Sequence, residues 1–327
     1  MHYLLLSLLA FLCLPIRSWS ADFLPGVERI LFLGDSITHD GQYVDYFEQF
    51  LFTQFPDRRF EVVACGLPSE TVSGLSEEGH AGGKFPRPDL HERLDRVLAA
   101  TKAQLIFACY GMNDGIYLPW EEPRFARFRE GILRLREKAT LAGAEVIHLT
   151  PAVFDPEPIR ARVADAAGVN SDHPFANYDD VLTRYSQWLM EPRDQPWRTI
   201  DLHGAMRAAL DARRKAEPKF TFAADGVHPS SEGHRVMGLA LLRQFAGEQF
   251  GAFQQTLERH VGSAEWKHFA ELIQKRRRLL TEAWLSATGH QRPGMGKGLP
   301  LQEAKAEALS LEHHIRQRAA AFASPSE

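Results

Sequence analysis

The sequence has 327 residues, of which 44% are hydrophobic and 24% are charged, as in an ordinary globular protein with a large core. Its 38 Lys and Arg residues are nearly balanced by 42 Asp and Glu residues, which leaves a formal net charge of -4. This balance excludes the broadly basic surface of a nucleic-acid binder and favours small neutral or weakly polar ligands.

The chain begins with an apolar segment. The run from Tyr3 to Leu14 is too short to span a bilayer comfortably, and no later segment is apolar for long enough. Ser18 and Ser20 place small residues three and one positions before a cut ahead of Ala21, which suits signal peptidase. Residues 1–20 are therefore predicted to be a signal peptide of a secreted or periplasmic protein. An uncleaved membrane anchor is the alternative.

Five short β-rich runs follow, and amphipathic helical patterns separate them. The runs are nearly continuous in apolar residues, as strands covered on both faces must be. They are RILFLG (29–34), FEVVACG (60–66), QLIFACYG (104–111), EVIHLTP (145–151) and RTIDLH (198–203). The helical patterns cover residues 43–55, 90–101, 123–142, 178–190 and 204–215. This alternation predicts an α/β layer fold with a mainly parallel sheet.

Two long segments, 67–88 and 152–177, show no clear periodicity. Loops of that length in a compact domain are usually functional or mobile. The first contains GHAGGKFPRP (79–88), which is rich in glycine but lacks the Lys followed by Ser or Thr of a phosphate-binding loop. We expect it to form the rim of a pocket.

The chain loses its β-rich runs after about Gly251. Apolar residues then recur at helical spacing in two stretches, Trp266 to Trp284 and Leu301 to Ile315, on either side of the Gly- and Pro-rich segment 289–300. This pattern predicts a helical hairpin that packs on the main domain, with KRRR (275–278) as a solvated helix face. The predicted domains are thus 21–250 and a C-terminal helical extension, 251–327.

Small and polar residues cluster just after the predicted strands. GDSIT follows the first strand, CGLPSETVSG the second and GMND the third, and DGVHP follows the last helical crossover. In an open α/β sheet, ligands bind outside the carboxyl ends of the strands. Each motif alone is typical of a turn or a helix cap, but together they lie where a site would form.

These motifs contain what acyl transfer requires, namely a nucleophile, a base, an orienting carboxylate and donors for an oxyanion. Ser36 lies where a strand gives way to a helix start, so its N–H is free to bind an anion. Gly66 has an unshielded N–H, and Asn113 offers an amide donor. His228 can act as the base, and Asp225, three residues earlier, can fix its tautomer.

In these blocks the chain resembles the SGNH (GDSL) hydrolase family. The blocks occur in the family's order: GDSIT with Ser36, the glycine block with Gly66, GMND with Gly111 and Asn113, and DGVHP with Asp225 and His228. The resemblance implies that Ser36 is the nucleophile and that Asp225 and His228 complete a catalytic triad. It implies an oxyanion hole formed by Ser36, Gly66 and Asn113.

The similarity covers about 27–247 and implies a flavodoxin-like, three-layer α/β/α sandwich with a five-stranded parallel sheet of order 2-1-3-4-5. In that order, Cys65 and Cys109 lie two strand spacings apart, about 9.6 Å. A disulfide needs Cα atoms within about 7 Å, so two buried free thiols are expected. The C-terminal extension falls outside the core pattern and resembles extensions of some exported bacterial relatives.

Two further assignments concern residues near the predicted site. His228 and His234 with Asp225 suggest a metal site, but another ligand at a firm spacing is missing, so neither a metal nor a cofactor is expected. His234 is instead expected on the helix surface or behind the site. Asp35, beside Ser36, is expected to hold the turn, because Asp225 already accompanies the base.

The leading functional hypothesis is a serine esterase that removes a short acyl group, such as acetyl, from a carbohydrate or a similar polar alcohol. The alternatives are lipase or lysophospholipase activity and acyl transfer to a sugar. A noncatalytic carbohydrate-binding protein on the same fold is a further alternative, although such a protein would not need Ser36, Asp225 and His228 together.

Overall fold

The structure is a computed structural model that describes residues 23–170, 173–193 and 197–323. The predicted signal peptide, 1–20, lies outside the described residues. Within the described ranges, no helix is both long enough and apolar enough to cross a bilayer.

The five predicted strands are all present in one parallel sheet. They are β1 (Arg29–Gly34), β2 (Glu61–Ala64), β3 (Leu105–Cys109), β4 (Glu145–Leu149) and β5 (Arg198–Ile200). The sheet order is β2-β1-β3-β4-β5, which confirms the predicted order. Gly34 at the end of β1 pairs with Cys109 at the end of β3, so the segments that follow these strands emerge side by side.

Helices of the main domain flank this sheet. They are α1 (Ser36–Asp40), α2 (Gln42–Gln54), the short turn α3 (His80–Gly83), α4 (Leu90–Thr101), α5 (Glu122–Leu141), α6 (Tyr178–Met190), α7 (Leu202–Arg214) and α8 (Ser231–Phe245). The five helical patterns predicted in this region are confirmed to within two residues at each end. Helix α8 was missed, although its apolar residues Met237, Leu241 and Phe245 recur at helical spacing and are buried.

The chain crosses from β1 to β2 in one direction and then reverses, so right-handed crossovers put helices on both faces of the sheet. On one face, Phe47 of α2 packs against Phe32 and Phe107 of the central strands, with 5.4 Å between ring centroids in both pairs. In the same hydrophobic cluster, Phe128 of α5 stacks on Tyr185 of α6, with 4.3 Å between ring centroids. The predicted three-layer α/β/α sandwich is confirmed.

The C-terminal region contains α9 (Glu248–His260), α10 (Ala264–Thr288) and α11 (Leu301–Ala323). Helices α10 and α11 form the predicted hairpin around the segment 289–300. The prediction of only two helices was wrong, because α9 precedes them and buries Phe250, Phe253 and Leu257 at helical spacing. The predicted boundary after residue 250 falls inside α9.

The prediction that KRRR (275–278) is a solvated face holds for Lys275 and Arg278, which are exposed, but is wrong for the two arginines between them. Arg276 and Arg277 are buried, with 4% and 2% of their surface exposed. Arg276 donates to Glu48 and Arg277 to Asp45, each at 2.5 Å. Both carboxylates belong to α2, so Arg276 and Arg277 form one half of an interface whose acidic half lies more than two hundred residues away in the sequence.

Cys65 and Cys109 are free and buried, as predicted. Cys109 ends β3, whereas Cys65 directly follows β2, and β1 lies between these two strands. The parallel sheet itself therefore holds the two thiols apart.

Candidate active site

The turn after β1 presents Ser36 at the first position of α1. Asp35 is the N-cap of that helix, and its carboxylate accepts a hydrogen bond from the Ile37 N–H at 2.9 Å. Such a cap satisfies a donor that the helix itself leaves unpaired. Burial raises the pKa of Asp35 to about 7, against the opposing effect of this hydrogen bond. The geometry matches the local role expected for Asp35.

A continuous chain of hydrogen bonds joins Ser36, His228 and Asp225. The Ser36 Oγ lies 2.8 Å from His228 Nε2, and His228 Nδ1 lies 2.6 Å from Asp225 Oδ2. The other oxygen of Asp225 accepts from the backbone N–H groups of Val227 and His228, at 2.9 and 2.8 Å. Two segments almost two hundred residues apart therefore meet at the carboxyl edge of the sheet.

The charged forms of Asp225 and His228 stabilise each other. The hydrogen bond to Asp225 raises the pKa of His228, against the opposing effect of burial. Partial burial works against the charge of Asp225, but hydrogen bonds with His228 and the backbone outweigh it and hold the pKa of Asp225 well below its usual range. Asp225 therefore remains an anion that favours protonation of the imidazole.

Gly66 follows β2 and lies directly against α1. A Cβ at this position would lie 2.3 Å from the His39 nitrogen and 2.7 Å from the Asp35 carbonyl oxygen, so any larger residue would push α1 away. Within the described part of the chain, neither the Gly66 N–H nor the Ser36 N–H makes a hydrogen bond. Both donors are therefore free to bind a ligand.

Asn113 is 4% exposed, and its amide is held from three sides. Its nitrogen donates to the Glu70 carbonyl oxygen at 3.2 Å. Its oxygen accepts from Arg87 at 2.8 Å and from the Tyr117 hydroxyl at 3.2 Å. Because an amide nitrogen carries two hydrogens, one N–H of Asn113 remains for a ligand.

A buried ion pair supports this edge of the site. Arg93 of α4 donates to both carboxylate oxygens of Glu70, at 2.6 and 2.8 Å, and also to the Cys65 carbonyl oxygen. The Tyr110 hydroxyl donates to the same carboxylate at 2.7 Å. Sequence reasoning missed these residues, because no fixed spacing links a glutamate in a loop to an arginine on a later helix.

A cavity of about 340 Å³ lies beside the hydrogen-bonded chain. Both segments without periodicity line it, together with Asp225 and Val227 from the turn that carries His228. The first segment contributes Glu77, Gly79, His80, Ala81, Gly82 and Arg87, and the second contributes Phe154, Ile159, Arg162, Asn170 and Pro174. The expectation that residues 79–88 form the rim of a pocket is confirmed for these residues.

The two histidines considered for a metal site bind separate carboxylates. His234 lies buried in α8, and its Nε2 is 2.8 Å from Asp40 Oδ2. His228 faces Asp225 instead. His234 therefore lies behind the site, against the helix that begins with Ser36, and not on the helix surface.

Comparison with known proteins supports the fold and the family. No protein of curated function matches the chain significantly. A gut microbial diltiazem-metabolizing enzyme, BT4096, superposes with a TM-score of 0.53 at 20% sequence identity. The match covers 68% of this chain and 48% of the BT4096 chain. The chain thus spans about half the length of that enzyme. A catalytic mutant of the acetylxylan esterase Axe2 from Geobacillus stearothermophilus gives a TM-score of 0.46 at 21% sequence identity. That match covers 68% of this chain and 95% of the Axe2 chain.

The sequence profile of the GDSL-like lipase/acylhydrolase family matches residues 32–236. This range is well over half of the chain and contains each of the motifs that follow the strands. The structural likeness to BT4096, at 20% identity, shows the shared fold. The chain belongs to the GDSL-like lipase/acylhydrolase family and is a hydrolase of ester bonds.

Proposed function

We propose that this chain is an exported serine esterase that removes short acyl groups, acetyl above all, from carbohydrates or similar polar alcohols. Ser36 is the nucleophile, His228 the general base and Asp225 the residue that orients it. The backbone N–H groups of Ser36 and Gly66 and the Asn113 amide form the oxyanion hole. The observation that carries the proposal is the unbroken hydrogen-bonded chain from Ser36 through His228 to Asp225.

In the first half of the reaction, the Ser36 Oγ attacks the ester carbonyl carbon while His228 Nε2 takes the hydroxyl proton. The carbonyl oxygen becomes an oxyanion, which the three N–H donors stabilise. His228 then gives its proton to the departing alkoxide, the alcohol leaves, and the acyl group remains on Ser36. Water repeats these steps with His228 as the base and releases the carboxylic acid.

Asp225 decides which nitrogen of His228 carries the proton. With Nδ1 within 2.6 Å of an anionic carboxylate, the neutral imidazole keeps its hydrogen on Nδ1. Nε2 is then an acceptor that faces the Ser36 hydroxyl at 2.8 Å. The geometry therefore holds the tautomer that a general base needs.

The cavity beside the triad supports a short acyl group and a polar alcohol. Its volume of about 340 Å³ lies near the lower end of the range for small-molecule pockets. Arg87, Glu77 and His80 form a connected polar wall in it. A long alkyl chain cannot satisfy such groups, whereas sugar hydroxyls can. Tyr117 adds an aromatic surface.

A substrate screen with wild-type protein and Ser36→Ala tests this function. We expect turnover of acetylated monosaccharides and 4-nitrophenyl acetate, with little turnover of esters of long fatty acids. Ser36→Ala should lower kcat by about 10⁴-fold or more, because the remaining groups supply no nucleophile. Ser310→Ala, an exposed serine on α11, is the matched control and should keep the wild-type rate. Equal rates for Ser36→Ala and wild type would contradict the proposed nucleophile.

Export rests on the sequence of residues 1–20. We expect the mature chain to begin at Ala21. Amino-terminal sequencing of protein recovered from the periplasm or the medium checks this. An intact Met1 on the recovered protein would favour the membrane anchor.

A further inference from the structure

The orientation of the Asn113 amide is determined by residues outside the motifs. An arginine can only donate hydrogen bonds, so the atom of Asn113 that faces Arg87 at 2.8 Å must be the amide oxygen. The same oxygen lies 3.2 Å from the Tyr117 hydroxyl. The amide nitrogen is thereby directed to the opposite side, where one of its hydrogens meets the Glu70 carbonyl oxygen.

Arg87 is itself fixed and stays charged. Its Nε and one terminal nitrogen each donate to the Glu77 carboxylate at 2.6 Å, which leaves the other terminal nitrogen for Asn113. Burial opposes its charge, but the hydrogen bonds to Glu77 outweigh burial and raise the pKa of Arg87. His80 also contacts Glu77, at 3.1 Å, so the loop that lines the cavity supports the arginine from behind.

Tyr117 is held in position by a strained turn. Ile116 and Tyr117 have φ angles of 46° and 57°, in the left-handed region that β-branched and bulky residues rarely adopt. The Ile116 N–H donates to the Asn113 carbonyl oxygen, and the Tyr117 carbonyl accepts from Phe175. The Arg87 guanidinium also lies over the Tyr117 ring, 5.3 Å from its centroid. Strain of this kind persists where the surroundings over-determine a conformation, and it clusters at functional sites.

These contacts have a chemical consequence for the remaining N–H of Asn113. A cationic donor on an amide oxygen withdraws electron density from the amide and makes its N–H groups stronger donors. An oxyanion gains most from donors that are already oriented before charge develops. An Asn113 amide that is already oriented and polarised therefore stabilises the transition state, in which the oxyanion forms, and does not strengthen binding of the neutral ester.

We infer that Arg87 and Tyr117 are positioning residues for this esterase reaction, which orient and polarise the Asn113 amide as an oxyanion donor. The inference rests on the proposed function. For 4-nitrophenyl acetate, which has no sugar hydroxyls for the polar wall of the cavity to bind, it predicts that both residues act on kcat through Asn113 and have little effect of their own on KM.

A double-mutant cycle tests this coupling. The variants are Tyr117→Phe, Arg87→Met and Asn113→Ala, together with each of the first two combined with the third. In the wild-type background we expect kcat for 4-nitrophenyl acetate to fall roughly 3- to 10-fold for Tyr117→Phe and at least about 10-fold for Arg87→Met. In the Asn113→Ala background, neither change should lower kcat further. Tyr46→Phe and the exposed Arg127→Met are matched controls away from the cavity.

Arg87→Met leaves the Glu77 carboxylate without its main partner and can therefore disturb folding. Tyr117→Phe removes one oxygen atom, so it carries the test if Arg87→Met is unstable. The inference is overturned if the Tyr117→Phe effect persists undiminished in the Asn113→Ala background, or if it changes only KM. The proposed function fails separately, if Ser36→Ala retains wild-type turnover.

Discussion

Two carboxylates near His228 have opposite electrostatic environments. Asp35 is buried, and burial raises its pKa to about 7. Asp225 is half exposed and accepts three hydrogen bonds, which hold its pKa well below the usual range. Only Asp225 touches the imidazole. Asp35 therefore shapes the turn that carries Ser36, whereas Asp225 faces His228, as its proposed role of orienting the base requires.

The pH dependence of activity follows from this arrangement. His228 must be neutral to accept the Ser36 proton, so kcat/KM falls as the pH drops through the pKa of His228. Asp225 raises that pKa. Asp225→Asn removes the carboxylate that raises the pKa of His228, so the acid limb of the kcat/KM profile should move to lower pH. At the same time kcat should fall about 10⁴-fold. A pH series of kcat/KM for both proteins measures this. An unmoved acid limb would contradict the role of Asp225.

The motifs GDSIT and DGVHP predicted the residues that the structure joins by hydrogen bonds, Ser36, His228 and Asp225. The first motif follows a strand whose apolar run is easy to recognise, and the second follows the last helical crossover. They did not predict Arg87 and Glu70, which hold Asn113 from the segment 67–88, or Tyr117, which lies just after GMND. The hydrogen bond from Arg87 to Asn113 depends on how a 22-residue loop, 67–88, folds back over the sheet edge. No local pattern encodes such a contact.

Helix α10 is joined to α2 by buried charges as well as apolar contacts. Arg277 is paired with Asp45, and its guanidinium packs against Gly41. A Cβ at position 41 would lie only 2.7 Å from a nitrogen of that guanidinium. Gly41 separates α1 from α2, so this contact lies at the end of the helix that begins with Ser36. Periodicity predicted both helices, but the pairing between them depends on tertiary packing.

Removing one member of this buried pair should be costly. Arg277→Met leaves Asp45 buried and unpaired, and we expect it to lower the free energy of unfolding by about 3–5 kcal/mol. Asp45→Leu combined with Arg277→Met should recover most of that loss, since no lone charge remains. Arg278→Met is the matched control, because Arg278 is exposed and should change stability by less than about 0.5 kcal/mol. Urea unfolding measures all three, and equal stability of Arg277→Met and Arg278→Met would contradict this account of the pair.

At the scale of the whole molecule, the C-terminal helices share the core of the main domain. Trp266, Phe269 and Ile273 of α10 belong to the same buried cluster as the sheet. Polar contacts add to this, since Arg96 of α4 donates to the Thr288 carbonyl oxygen at 2.8 Å. The sequence suggested an appended hairpin because the β-rich runs end after about Gly251. The end of these runs marks a change from strands to helices, but it does not mark the end of the shared hydrophobic core.

Deletion of residues 255–327 should therefore disrupt the main domain. The deletion would expose the apolar face of α2 that α10 and α11 cover and would leave Asp45 and Glu48 without their arginines. We expect the shortened chain to be insoluble or to lack a cooperative thermal transition. A soluble, cooperatively folding product with unchanged kcat/KM would show that the extension serves neither stability nor catalysis.

The central claim is that Ser36 is an activated nucleophile. A fluorophosphonate reports this directly, because an activated serine oxygen displaces fluoride and forms a stable phosphonyl ester. Peptide mass spectrometry of the labelled wild-type protein should place one adduct on Ser36, and labelling should be lost in Ser36→Ala. An adduct on another residue, with ester turnover abolished by it, would contradict the account.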